Sequence, residues 1–113
     1  MLPQEPLATV SRDLHWFVRG GTARVGEGAP VTVDVDPVVI GRSDGAQIRI
    51  DDPEVSAMHC ELRAVDHGIL VRDLGSTNGT FAMGLRVQEV VVSAVTELTV
   101  GRARVVLEPQ AKQ

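Results

Sequence analysis

The 113-residue chain has one cysteine, Cys60, and one lysine, Lys112. A lone cysteine excludes an internal disulfide and points to a reducing compartment, with the cytoplasm as the simplest expectation. A lone lysine in the polar C-terminal stretch leaves none for a Schiff base or a Walker-type phosphate loop. No segment approaches the ~18 apolar residues of a membrane-spanning helix. Met1 to Val10 has two prolines, no basic residue and no apolar run of signal-peptide length. The formal charge of -4 and the pI near 5.2 count against nucleic acid or an anionic membrane as partner, because both reward broad basic surfaces. There is no internal repeat, and no window carries three turns of helical periodicity without a Gly, a Pro or a β-branched cluster.

What the chain does have is short alternation. Apolar residues recur at every second position in Leu14, Trp16, Val18; Val31, Val33, Val35; Ile48, Ile50; Met58, Cys60, Leu62, Ala64; Leu98, Val100; and Ala103, Val105, Leu107. Period two over four to eight residues marks half-buried strands. Clusters such as Gly20-Gly21, Asp36-Pro37, Asp66-His67-Gly68 and Gly75 to Gly79 separate the runs with residues that suit turns. The pattern predicts an all-β sandwich of about ten or eleven short, mainly antiparallel strands, with a binding site in the loops at one end. Residues 13–108 are expected to form the domain, between tails at 1–12 and 109–113.

Three segments bear the chemistry: Gly41-Arg42, Ser56-Ala57-Met58-His59 and Ser76-Thr77-Asn78-Gly79-Thr80. A phosphothreonine carries nearly two negative charges and three acceptor oxygens, so its reader needs an arginine and several neutral donors converging from loops. Singly, each residue has an ordinary explanation: Arg42 a surface arginine, Ser56 a turn hydroxyl, Asn78-Gly79 a hairpin turn. Jointly they point to a site. Cys60 shares the apolar phase of Leu62 and reads as core, and the positions of His15, near a strand start, and His67, in a turn, do not suggest catalysis. Asp51-Asp52-Pro53-Glu54 lacks the alternating oxygen ligands and glycine of a calcium loop, so no metal and no cofactor is expected. Between Gly41 and Ser56, Arg42 and Arg49 face Asp44, Asp51, Asp52 and Glu54, an acidic excess that repels phosphate unless the carboxylates point away.

The order Val38-Val39-Ile40-Gly41-Arg42, Ile50-Asp51-Asp52-Pro53, Val55-Ser56-x-x-His59 and Val71 to Phe81 resembles the forkhead-associated (FHA) domain family. The resemblance implies that Arg42 and Ser56 bind phosphate, that Thr77 adds a phosphate contact and that Asn78 holds the peptide backbone. Gly41 and His59 would support the loops. Glu54 is a candidate for reading the third residue after the phosphothreonine, against the plainer role of a solvated carboxylate. Ala57 stands where family members commonly carry Arg, Lys or Asn, which removes one phosphate donor. Met83-Gly84 replaces a commoner Asn-Gly turn. The implied function is recognition of phosphothreonine proteins made by an upstream Ser/Thr kinase, without catalysis and without nucleic acid or membrane as partner. The resemblance extends to domains at the amino end of bacterial sigma-54-dependent transcription activators. A phosphate-independent interaction or self-association scaffold on the same fold is the competing expectation.

Overall fold

The structure is a computed structural model and describes residues 20–110. Eleven strands follow in order: β1 (Gly21–Val25), β2 (Val31–Val33), β3 (Val38–Gly41), β4 (Ile48–Arg49), β5 (Cys60–Val65), β6 (Gly68–Asp73), β7 (Thr80–Ala82), β8 (Leu85–Val87), β9 (Glu89–Val92), β10 (Thr96–Val100) and β11 (Ala103–Pro109). They form a six-stranded sheet, β2-β1-β11-β10-β7-β8, and a five-stranded sheet, β4-β3-β5-β6-β9. Strands β3 and β4 run parallel, and the other described neighbours are antiparallel. This is the expected all-β sandwich.

Alternation places the core. In β10, Thr96, Leu98 and Val100 are buried while Glu97 and Thr99 face out, and the register sets Leu98 against Val105 and Thr96 against Leu107. Strand β5 contributes Cys60, Leu62 and Ala64, with Leu62 opposite Val71 and Ala64 opposite Ile69. Cys60, Leu62, Val71, Leu98, Val105 and Leu107 pack with Val33, Ile40 and Val92 in one core cluster. Burial of each large aliphatic side chain is worth about 1.5–3 kcal/mol. The interior Cys60 makes no nucleophile, since burial pushes its thiol up to about 12.

Two sequence expectations shift. Met58 is 45% exposed and lies ahead of β5, not in its apolar phase. The chain from Ser56 to Met58 instead crosses the end of β3, where the amides of Arg42 and Ser43 donate to the carbonyls of Ser56 and Ala57 at 3.0 and 3.1 Å. Val35 is exposed because β2 ends at Val33 and the chain turns through Asp34 to Pro37. The run Leu14, Trp16, Val18, together with His15 and the tail 1–12, lies outside the described residues.

At the other end of the sandwich, Met83-Gly84 closes the β7–β8 hairpin with both residues at positive φ, 52° and 78°. That is the geometry of a two-residue hairpin turn favouring Asn-Gly.

Candidate functional site

Strand β3 ends in Gly41, and the next residue, Arg42, is exposed. Gly41 has no freedom to be larger: a Cβ there would stand 2.1 Å from the Ala57 carbonyl oxygen. Close approach of β3 to the β4–β5 loop therefore requires glycine. The Arg42 side chain donates from Nε to the Val55 carbonyl at 3.0 Å. With Nε committed, the terminal nitrogens face outward with no hydrogen bond or ion pair among the described residues.

The β4–β5 and β6–β7 loops are stitched together by three side-chain contacts, beside the backbone bond from the Leu74 amide to the His59 carbonyl at 2.9 Å. Thr77 donates its amide to Ser56 Oγ at 3.0 Å, Asn78 Nδ2 donates to the Glu54 carbonyl at 2.9 Å, and His59 Nε2 donates to the Gly79 carbonyl at 2.9 Å. His59 is 0% exposed, and its Nδ1 accepts the Ser56 amide at 3.1 Å. An amide can only donate and a carbonyl only accept, so these partners fix the tautomer with the proton on Nε2. One imidazole thus spans both loops. The Ser56 hydroxyl, having accepted from Thr77, still has its own O–H to donate.

Two carboxylates brace the frame. Asp73 accepts from the Gly75 and Ser76 amides at 2.9 Å each, from Ser76 Oγ at 2.6 Å and from Thr80 Oγ1 at 2.7 Å. Burial pushes its pKa up, but these hydrogen bonds outweigh that and hold it below the usual carboxylate value. Asp52 accepts the Glu54 amide at 2.9 Å and the Arg102 amide at 2.8 Å, and these bonds hold its pKa down as well. Arg102, in the β10–β11 turn, is thereby tied to the site.

The acidic excess of the loops is largely spent on such contacts. Asp44 and Asp51 lie 3.1 and 3.9 Å from Arg49, and Glu54 lies 3.3 Å from Arg102 Nε. Sequence spacing does not reveal the Arg102 pairing, which spans 48 residues. Asp73 had a legible signal, since an Asp two and three residues before a Gly-Ser turn is an Asx-turn arrangement. Arg42, Ser56, Thr77 and Asn78 all meet at this end of the sandwich; Ala57 is exposed among them and offers no side-chain donor.

The profile of the FHA domain matches residues 38–103. The chain belongs to the FHA family. Its curated relatives include FHA domain-containing protein FhaB of Mycobacterium tuberculosis, 35% identical over 83 residues, which are 73% of this chain and 54% of the relative. FhaB of Mycolicibacterium smegmatis is 32% identical over 110 residues, 96% of this chain and 68% of that protein. The FHA chain thus spans about half to two thirds of the length of these relatives. Among solved structures, one from work on phosphothreonine-dependent FHA domain interactions superposes with a TM-score of 0.75 at 28% identity, covering 82% of this chain and 99% of that one. The FhaA FHA domain complexed with the intracellular domain of Rv3910 gives 0.71 at 30% identity, covering 77% and 98%. An FHA domain is a recognition module, and the described residues contain no helix long and apolar enough to cross a membrane.

Proposed function

We propose that this FHA domain recognises phosphothreonine peptides through Arg42 and Ser56, and that it binds without catalysing. The observation that carries this is the free end of the Arg42 guanidinium, aimed outward by its Nε bond to Val55, at the end of the sandwich where Ser56 retains a hydroxyl to donate. A dianionic phosphate docked there takes charge-assisted hydrogen bonds from the guanidinium, each worth about 1.5–3 kcal/mol. Thr77 adds its hydroxyl, since its amide is held by Ser56. Asn78, with Nδ2 on the Glu54 carbonyl, has its side-chain oxygen and one N–H left to pair with the peptide backbone. Gly41 and His59 hold the loops in place.

Glu54 is the specificity candidate of the β4–β5 loop, and its ion pair with Arg102 blunts its pull on a basic ligand residue. Likeness to FHA domains studied in phosphothreonine-dependent interactions, and in complex with an intracellular partner domain, supports the reading. The partner is then a phosphoprotein made by a Ser/Thr kinase in the cytoplasm, and residues 13–108 are the unit that docks it. No sigma-54 activator stands among the relatives named above, and the domain is read as a module without assigning the machinery it serves.

The test is an amide-resolved NMR titration with N-acetyl-phosphothreonine amide. Shifts should concentrate at Arg42, Ser56, Thr77 and Asn78 and leave Met83 and Gly84 still. Shifts centred elsewhere, or matched by unphosphorylated N-acetyl-threonine amide, would favour the phosphate-independent scaffold.

A further inference from the structure

The arginines at this end of the sandwich differ in their commitments. Arg49 is paired with Asp44 and Asp51, Arg102 with Glu54, and Arg42 is anchored through Nε. Arg86, exposed on β8, has no ion pair and no side-chain hydrogen bond among the described residues. It is nevertheless placed. Arg86 sits opposite Phe81 in the β7–β8 pair, and its side chain lies back against Gly79. A Cβ at position 79 would stand 2.7 Å from Arg86 Nε, 3.1 Å from Cζ and 3.2 Å from Cδ. Gly79, at φ 92°, is the seat of the guanidinium as well as the turn residue. It meets His59 through its carbonyl and Arg86 across its α-carbon.

Asn78 is the neighbour of Gly79. An extended peptide covers about 3.3 Å per residue, so a ligand held at Asn78 brings residues within reach of Arg86 in two or three steps. The carboxylates of the two recognition loops have other partners: Glu54 pairs with Arg102, and Asp73 holds four hydrogen bonds. We propose that Arg86 is a second anion-reading position, selecting peptides that carry an anionic side chain, a carboxylate or a second phosphate, within a few residues of the phosphothreonine. The planar guanidinium suits both, since each presents paired oxygens.

This rests on the phosphothreonine reading above, so the experiment separates the two. Fluorescence anisotropy is measured with a phosphothreonine peptide whose flanking positions, from three before to four after, are changed one at a time to Ala, Lys, Asp, Glu or phosphoserine. The proteins are wild type, Arg86→Ala, Arg86→Lys and Arg86→Glu. Wild type should favour an anion at one or two adjacent positions by about 3- to 10-fold over Ala, the span of an exposed ion pair to a charge-assisted hydrogen bond. Comparing Asp and Glu with phosphoserine at that position identifies which anion is preferred. Arg86→Ala should lose the preference while keeping phosphothreonine dependence, Arg86→Lys should keep part of it, and Arg86→Glu should invert it toward Lys. A flat profile in wild type, or the same anion preference in Arg86→Ala, overturns the assignment while leaving phosphothreonine recognition intact. Wild-type protein that binds phosphorylated and unmodified peptide alike overturns both.

Discussion

Replacing His59 by phenylalanine tests how the recognition loops are held. The ring stays large and apolar enough to fill the interior, but both hydrogen bonds go: the Ser56 amide loses Nδ1 and the Gly79 carbonyl loses Nε2. Gly79 is buried, so its carbonyl cannot turn to water, whereas Ser56 is half-buried and recovers part of its loss. A buried polar group left unpaired costs about 1–3 kcal/mol. His59→Phe should therefore lose about 2–4 kcal/mol from a total that for single domains is about 5–15 kcal/mol. His59→Ala adds a cavity and should lose about 1–2 kcal/mol more. Urea unfolding followed by tryptophan-independent far-UV circular dichroism gives the free energies, and the melting temperature of His59→Phe should fall by about 10–20 °C. Phosphopeptide affinity should drop as well, because the Ser56 and Asn78 loops lose one of the three side-chain ties between them and keep only the Thr77–Ser56 and Asn78–Glu54 bonds. If His59→Phe stays within 0.5 kcal/mol of wild type, on the order of an ordinary surface change, the imidazole fills space and does not tie the loops.

Other residues give sharper local tests. Gly41→Ala puts a methyl group against the Ala57 carbonyl; a loss of about 2–3 kcal/mol is expected in denaturant unfolding, as for overpacked sites, with binding lost too. Asp73 has its pKa held below the ordinary aspartate value in the fold, so its contribution is complete above the unfolded-state value and disappears as pH falls through the lower folded one. Melting temperature should therefore fall below about pH 4 in wild type, and Asp73→Asn, already weaker at neutral pH, should show a shallower slope. Met83, 77% exposed at φ 52°, occupies backbone space that asparagine tolerates better. Met83→Asn should add about 0.5–1 kcal/mol of stability without altering peptide binding.

The sandwich was legible where one face of a strand is buried. In β5, β10 and β11 strict alternation reflects the pleat itself, and the residues in phase are those of the core. Alternation misled at Val35 and Met58, where the chain has left the sheet but continues the same spacing by coincidence. The candidate site was legible as a set of segments because each loop carries its own donors: Arg42 after β3, Ser56 before β5, Thr77 and Asn78 before β7. What connects the loops was less so. Asp52 reaches the Arg102 amide across 50 residues and Glu54 its guanidinium across 48, and no local pattern encodes those distances. Counting charges between Gly41 and Ser56 overstated the repulsion for the same reason. Arg86 was invisible as a site residue, since its place is set by the β7–β8 register and by the missing side chain at Gly79.

The most direct measurement is the affinity of matched phosphothreonine, phosphoserine and unmodified peptides with degenerate flanks for wild type and Arg42→Ala. Wild type should bind the phosphothreonine pool best, phosphoserine more weakly and the unmodified pool least, and Arg42→Ala should lose about 100-fold or more, the worth of two charge-assisted hydrogen bonds, while its unfolding free energy falls only by about 1 kcal/mol for the lost Nε bond to Val55. Undiminished phosphothreonine binding by a folded Arg42→Ala protein would contradict the central claim.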